Sequence, residues 1–420
     1  MTHAATRKPA RSRAIALMTT CAFAVALGTA ASAETEVALN DFYRPFTLSE
    51  ITPKNMQSWP YYRYVSTHWD KYGLFGTVPV MASKNPAGLS VADAQFDLQQ
   101  DFRDSRSFVE SLHTTQTKGF LVMKDNVILG EFYDNGFNAD QTQLLQSSSK
   151  TYAGVIASKL IDEGKLDPDA TVESHLADFK GSAIGKANVQ HVLDMTAGLL
   201  PATDYHVPGG EAYVFETEQG LKPGNPTGHR RAVIEAKTQN APGEVYTYND
   251  KNTDLLAMLA EGVTGLHFNK LLSDLFNDFG ANSDGSIALT VDGTASPSYG
   301  ISSALRDYGL FHQWIAEGKA PQSFYASVRD LDKDLLGKSK TGQAVATALG
   351  TPVAYGSQGW YLPEHDIIYT AGSYGQYGFS DMKTGISVVF MQDWEDNAVV
   401  GKLIDTLARA LFVIDQMSTE

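Results

Sequence analysis

Strand-like runs stand toward both ends of this chain, and helical patterns fill the stretch between them. Near the front, Phe120-Leu121-Val122-Met123 and Val127-Ile128-Leu129 flank Lys124-Asp125-Asn126, which reads as a β-hairpin. Toward the back, residues 367–370, 375–379 and 386–392 are spaced as a meander, and Val400, Leu403, Leu407 and Leu411 then fall on one face of an amphipathic helix. Helical patterns occupy residues 148–163, 251–263 and 302–317. Sheet partners this far apart must come together across the helical middle. The expected fold is α+β: an antiparallel sheet built from both ends of the chain and flanked by helices, with a mainly helical insertion over about 165–295.

The other bounds follow from length and charge. The chain has 420 residues, 43% of them hydrophobic, enough for two or three structural units with a real core. A formal charge of −15 argues against nucleic acid or an anionic membrane surface as partner. Residues 1–33 read as a signal peptide. Arg7, Lys8, Arg11 and Arg13 precede an apolar stretch over 14–27, and Ala31-Ser32-Ala33 supplies a cleavage site before Glu34. That stretch is shorter than the roughly 20 residues a membrane span needs. Cys21, the one cysteine, follows Leu17-Met18-Thr19-Thr20, a poor lipidation signal. The expected mature protein is exported to the periplasm or beyond, cysteine-free and more acidic still. Residues 34–112 form an aromatic-rich lead-in (Trp59-Pro60-Tyr61-Tyr62, Trp69) expected to pack on the main domain, 113–420.

Several familiar chemistries lack their motifs. There is no H-E-x-x-H, no glycine-rich phosphate loop, and no G-x-S-x-G; Gly300-Ile301-Ser302-Ser303-Ala304 comes nearest. The ten histidines are scattered, and His191 and His365 read as core or rim residues. No metal or cofactor is expected. What does appear is Ser147-Ser148-Ser149-Lys150 at the mouth of the 148–163 helix. A serine hydroxyl is a weak nucleophile until a base takes its proton. A lysine three residues on lies on the same helical face, so Ser147 and Lys150 are the pair that can meet. To act as the base Lys150 must be partly neutral, which calls for a lowered pKa. About one or two S-x-x-K matches arise by chance in a chain this long. A second one is present: Ser380-Asp381-Met382-Lys383 runs into a literal Lys383-Thr384-Gly385. It lies between two strand-like runs and reads as a solvated hairpin turn.

With its surroundings, the first motif resembles the serine β-lactamase/penicillin-binding superfamily, and within it the 6-aminohexanoate-dimer hydrolases and related class-C-like esterases. The matching stretches are the hairpin, the S-x-x-K helix, Glu163-Gly164-Lys165-Leu166-Asp167, and residues 189–198 from Val189-Gln190-His191 to Ala197-Gly198. The resemblance implies a catalytic tyrosine about 100 residues on. Tyr248, in Val245-Tyr246-Thr247-Tyr248-Asn249-Asp250, falls there; Tyr246 takes an apolar place in the pattern. It implies a third element on a late strand, where Thr370-Ala371-Gly372-Ser373-Tyr374-Gly375-Gln376 stands and Thr370 replaces the usual lysine. Ser373, Gly372 and Gln376 are thereby implied in substrate binding, with the Ser373 N–H joining that of Ser147 in an oxyanion hole. Tyr205 falls near a substrate-pocket tyrosine of the dimer-hydrolase branch. The implied function is a serine hydrolase that cleaves small-molecule esters or linear amides through a Ser147 acyl-enzyme, with Lys150 and Tyr248 moving the proton. A β-lactamase or D-alanyl-D-alanine carboxypeptidase, or a silent binding protein on the same fold, are the alternatives.

Overall fold

The computed structural model describes residues 45–418 apart from 105, 203 and 204, and so leaves the expected signal peptide outside the described residues. Its strands are β1 Thr77–Val80, β2 Ser90–Val91, β3 Thr117–Lys124, β4 Val127–Tyr133, β5 Thr142–Leu144, β6 Gly285–Ala288, β7 Ile301–Ala304, β8 Ala354–Gly356, β9 Gly359–Leu362, β10 Ile367–Gly372, β11 Gln376–Asp381 and β12 Ser387–Gln392. Eight of them form the main sheet in the order β2-β4-β3-β12-β11-β10-β9-β8. Every pair in it is antiparallel except β2 with β4. The two ends of the chain meet at its middle, where Leu121 pairs with Val389 and Phe120 with Phe390.

The front hairpin turns at Asp125 and Asn126, both left-handed (φ 52° and 62°), the two-residue turn whose twist suits the flanking strands. β3 is a central strand covered on both faces, which is why its apolar run is continuous rather than alternating. Leu121 and Met123 enter one core with Tyr308 and Phe311, while Phe120 and Val122 enter another with Phe390, Leu407 and Val413. The first core lies under helix Leu305–Ala316, the second under the terminal helix Val400–Ser418.

One expectation is corrected in detail. The 302–317 helix begins only at Leu305, because residues 301–304 form β7. β7 belongs to a second, four-stranded sheet in the order β1-β6-β7-β5, which the sequence reading did not foresee. Its strands have three or four residues each, too short for an alternating pattern to register. Part of the lead-in packs beside this sheet: Met56, Val65 and Trp69 share a small core with Leu144, Leu221, Ala288 and Tyr299. Among the described residues no helix is long and apolar enough to cross a membrane.

Candidate active site

A 3-10 turn, Gln146–Ser149, leads directly into helix Lys150–Asp162. Tyr152, Ile156 and Leu160, the spaced apolar positions, are all buried. Gly154 lets this helix touch the chain at Ser357, whose carbonyl oxygen would stand 2.0 Å from any Cβ there. The turn is pinned from both sides of Ser147. Ser148 Oγ donates to the Gln376 carbonyl (2.8 Å), and Ser149 Oγ accepts from the Ile301 N–H (3.1 Å). Gln146 is left-handed (φ 52°), a strained conformation for a residue with a side chain, and its amide donates to the Tyr62 hydroxyl (2.8 Å). Of residues 146–150, Ser147 alone is not buried.

Lys150 lies almost wholly inside, at 2% exposure. Its Nζ donates to Ser147 Oγ (3.0 Å) and to the Ser298 carbonyl (2.6 Å), and pairs with Asp250 Oδ1 at 2.9 Å. These three partners satisfy the three hydrogens of an ammonium. The lysine also stands 4.9 Å from the centre of the Tyr248 ring. Tyr248 is buried, and Ser147 and Lys150 beside it act to lower its phenol pKa. Burial alone would push the Lys150 pKa down, but the Asp250 carboxylate and Tyr248 outweigh it and hold it above the ordinary lysine value. Burial raises the Tyr248 phenol; Lys150 opposes that and Asp250 adds to it. The sequence reading is corrected here. It required a lysine of lowered pKa, and the structure holds a charged one because an acid stands beside it.

Asp250 went unnoticed in the sequence because an acid in the first turn of a helix reads as an ordinary complement to the helix dipole. It opens helix Asp250–Thr264, capped by Asn249. One turn on, Asp254 is fully buried and accepts from Gln219 Nε2 (3.0 Å), Ser296 Oγ (2.9 Å) and the Ser298 N–H (3.1 Å), and it pairs with His229 Nε2 (2.8 Å). That cage fixes the Ser298 carbonyl on which Lys150 rests.

The third element closes the site unevenly. Gly372 permits a close approach of β10 to the serine turn: a Cβ there would stand 2.3 Å from the Leu145 carbonyl oxygen and 3.2 Å from the Ser148 nitrogen. Ser373, half-buried, lines the cleft with Ser147. The next residue, Tyr374, is left-handed (φ 62°) and stacks on Tyr62 with centroids 3.8 Å apart. Gln376 is corrected as a substrate contact. It is fully buried, and its amide donates to the Tyr374 and Gln392 carbonyls (3.1 and 2.7 Å). Thr370 is corrected too. It lies beneath the sheet rather than at the cleft, hydrogen-bonded to the Tyr308 hydroxyl and, at 3.0 Å, to His312 Nε2. Burial pushes that histidine down to about 3, so it stays neutral.

The polar half of the cleft is lined by Tyr205, Glu216, Lys222, Asp250 and Ser373, with Gln57 from the lead-in. Glu216, which the sequence reading also missed, has its pKa raised to about 7 by burial, Lys222 opposing and Asp250 adding to the shift. It is thus neutral below pH 7 and a carboxylate above. For an ester with a cationic leaving group, KM should fall as pH rises through about 7, and Glu216→Gln should flatten that dependence in steady-state assays. Among the described residues no cluster of His, Cys, Asp and Glu is placed to hold a metal ion.

Lys383 sits in the turn between β11 and β12, its Nζ 3.5 Å from the Glu364 carbonyl oxygen. In the β10–β11 ladder Gly372 pairs with Gln376 at the site end and Ile367 with Asp381 at the other, so Lys383 belongs to the far end. Lys383→Ala should therefore change kcat/KM less than about threefold and stability by no more than about 0.5 kcal/mol in denaturant titrations.

A helix-borne serine and lysine, a tyrosine from a second loop and an edge of β10 closing over them are set in a sheet shared by both chain ends. A model of the Beta-lactamase family matches residues 120–411, and the chain belongs to that family. Its relatives are hydrolases. It is 29% identical to the 6-aminohexanoate-dimer hydrolase of Paenarthrobacter ureafaciens over 296 residues, 68% of this chain and 75% of that one. The fold is shared with a solved Bacillus anthracis structure named for the same dimer hydrolase (TM-score 0.77, 21% identity, 89% of this chain and 99% of the other). A D-stereospecific amidohydrolase from Streptomyces shares it more loosely (TM-score 0.52, 16% identity, 69% and 93% covered).

Proposed function

We propose that the protein is a serine hydrolase that cleaves esters or linear amides of small molecules through a Ser147 acyl-enzyme. The observation that carries this reading is the one hydroxyl of the turn that is not buried, Ser147, held 3.0 Å from Lys150 Nζ, which in turn stands 4.9 Å from the centre of the Tyr248 ring. The resting lysine is an ammonium with every hydrogen engaged, so it has no lone pair to offer. Asp250 supplies the missing base. A proton passes from Lys150 to the Asp250 carboxylate along their 2.9 Å contact, and the freed nitrogen takes the Ser147 proton as Oγ bonds to the carbonyl carbon. Lysine ends as it began, and Asp250 holds the proton. Backbone N–H groups of Ser147 and Ser373 face the developing oxyanion. Collapse breaks the bond to the leaving group, which receives the stored proton by way of Lys150 and Tyr248. Water then repeats the sequence on the acyl-enzyme.

Linear amides and esters are favoured over β-lactams and D-alanyl peptides. The substrate carboxylate of those ligands calls for a free cation at the third element, and Thr370 is buried while Lys383 lies at the far end. Lys222, which does line the cleft, stands 3.5 Å from Glu216. The name of the Paenarthrobacter relative points the same way. Residues 1–33 further suggest export, which N-terminal sequencing of secreted protein would test by finding Glu34 first. The function is tested by fluorophosphonate labelling of the mature protein with a panel of p-nitrophenyl esters, linear amide dimers and nitrocefin. Label on Ser147 with ester or amide turnover is the expected result, and nitrocefin turnover alone would overturn the substrate assignment.

A further inference from the structure

The lead-in reaches the active site through a single turn of helix, Tyr62–Val65. Tyr62 is 1% exposed and meets the site at two points. Its hydroxyl accepts from the Gln146 amide (2.8 Å), and its ring stacks on Tyr374 with centroids 3.8 Å apart. Both partners are left-handed, at φ 52° and 62°. Each also adjoins one of the two oxyanion donors: Gln146 precedes Ser147, and Tyr374 follows Ser373. We propose that Tyr62 is a positioning residue for the hydrolysis, a clamp that holds both strained backbones and so aims the two N–H groups. This rests on the Ser147 acyl-enzyme reading and adds to it a residue outside the stretch that the family model matches.

Strain is what makes a clamp necessary. A residue with a side chain stays left-handed only where its surroundings over-determine it. The Ser147 N–H lies in the planar peptide that Gln146 begins, so relaxation of Gln146 would swing that donor away. The bond from the Gln146 amide to Tyr62 opposes this directly. On the other side, the stack fixes the Tyr374 ring. The Tyr374 hydroxyl, at the outer end of that ring, donates to the Gln57 carbonyl (2.8 Å), a second hold from the lead-in.

The clamp is itself anchored. The Leu144 N–H donates to the Ser66 carbonyl (2.8 Å), tying the lead-in to β5, the strand that enters the serine turn. Met56, Val65 and Trp69 pack with Leu144 in one small core. Burial raises the Tyr62 phenol well above the ordinary tyrosine value, with Tyr374 adding to the shift. Tyr62 therefore presents the same neutral oxygen to Gln146 at every working pH.

The test uses the mature enzyme with p-nitrophenyl acetate, kcat being referred to the sites that fluorophosphonate labels. Tyr62→Phe keeps the stack and removes the acceptor. Its kcat should fall about tenfold and its KM stay within about threefold, as for an interaction made only in the transition state. Tyr62→Leu removes both contacts and should cost about 10²-fold, the scale of one oxyanion donor. Affinity for phenylboronic acid, whose adduct with Ser147 is tetrahedral, should fall in step with kcat, while the pH profile keeps its shape. Gln146→Gly separates positioning from folding. Glycine takes the left-handed conformation unaided, so in that background Tyr62→Phe should cost less than about threefold. A general loosening of the lead-in would cost the same in either background. Wild-type kcat and boronate affinity in Tyr62→Phe, or a loss that Gln146→Gly leaves undiminished, overturns the clamp even where Tyr62→Leu fails to fold. A raised KM in place of a lowered kcat overturns it equally. Absence of turnover and of label on Ser147 in the wild type brings down the acyl-enzyme reading itself, and shows before any Tyr62 variant is made.

Discussion

Ser147→Ala is expected to abolish turnover and covalent labelling together, a loss of about 10⁴-fold or more in kcat, because it removes the hydroxyl proposed as the nucleophile. Ser148→Ala is the informative contrast. Ser148 is fully buried and bonds the Gln376 carbonyl, so its loss leaves an unsatisfied acceptor and costs about 1–3 kcal/mol of stability. Its hydroxyl does not face the cleft, and kcat should stay within about tenfold of the wild type. Labelling, kcat and thermal melting of both variants distinguish the two roles. Equal loss of labelling in both would mean that the turn presents a different serine from the one described.

Asp250→Asn is expected to cost on the order of 10²-fold or more in kcat. Asparagine keeps the shape and a hydrogen bond to Lys150 but does not store a proton. Lys150→Ala should cost at least as much, and the double variant little more than either, since the two act as one unit. The pH profile carries the sign. In the wild type the carboxylate holds Lys150 above the ordinary lysine value, so the ammonium persists across the working range. In Asp250→Asn only burial and Tyr248 remain, the lysine pKa falls, and a neutral amine becomes available as pH rises. Residual activity of the variant should therefore climb through the alkaline range while the wild type stays flat. A variant with wild-type kcat and an unchanged profile would remove Asp250 from the proton route.

The legible parts of the sequence were those with a local or periodic cause. The 125–126 turn, the apolar stripe of Tyr152, Ile156 and Leu160, and the three back strands each carry a pattern within a dozen residues. Ser147 and Lys150 were legible for the same reason, one helical turn apart. Asp250 and Ser298 were not, because each matters through Lys150, 100 and 148 residues away, and Glu216 was not, because its shift comes first from burial that no local pattern names. The error about Lys150 is of this kind: burial was foreseen, the acid beside it was not. Thr370 and Gln376 sit on neighbouring strands, β10 and β11, each buried on both faces, so strand position alone gave no hint of which residues open to the cleft. The lead-in showed aromatic residues but not their role, and it is Tyr62 that stacks on Tyr374 and receives Gln146.

The pairing of β3 with β12 has a consequence for how the molecule comes into being. Residues 117–124 lie inside the main sheet, yet their partner strand, 387–392, is made only after the whole intervening chain. A nascent chain paused anywhere before residue 387 has its front hairpin complete but one long edge bare, with Leu121 and Val122 lacking their neighbours Val389 and Val388. Bare edges of that kind invite pairing with other chains. Closing a loop of this length adds only modestly to the entropy of the ordered state, but it delays the event that commits the core. The decisive step of folding thus waits for residues 387–392. Release of a shortened chain ending near residue 386 should yield an aggregate in place of a weaker enzyme, since what is lost is not a margin of stability but the seam that joins the two halves of the sheet.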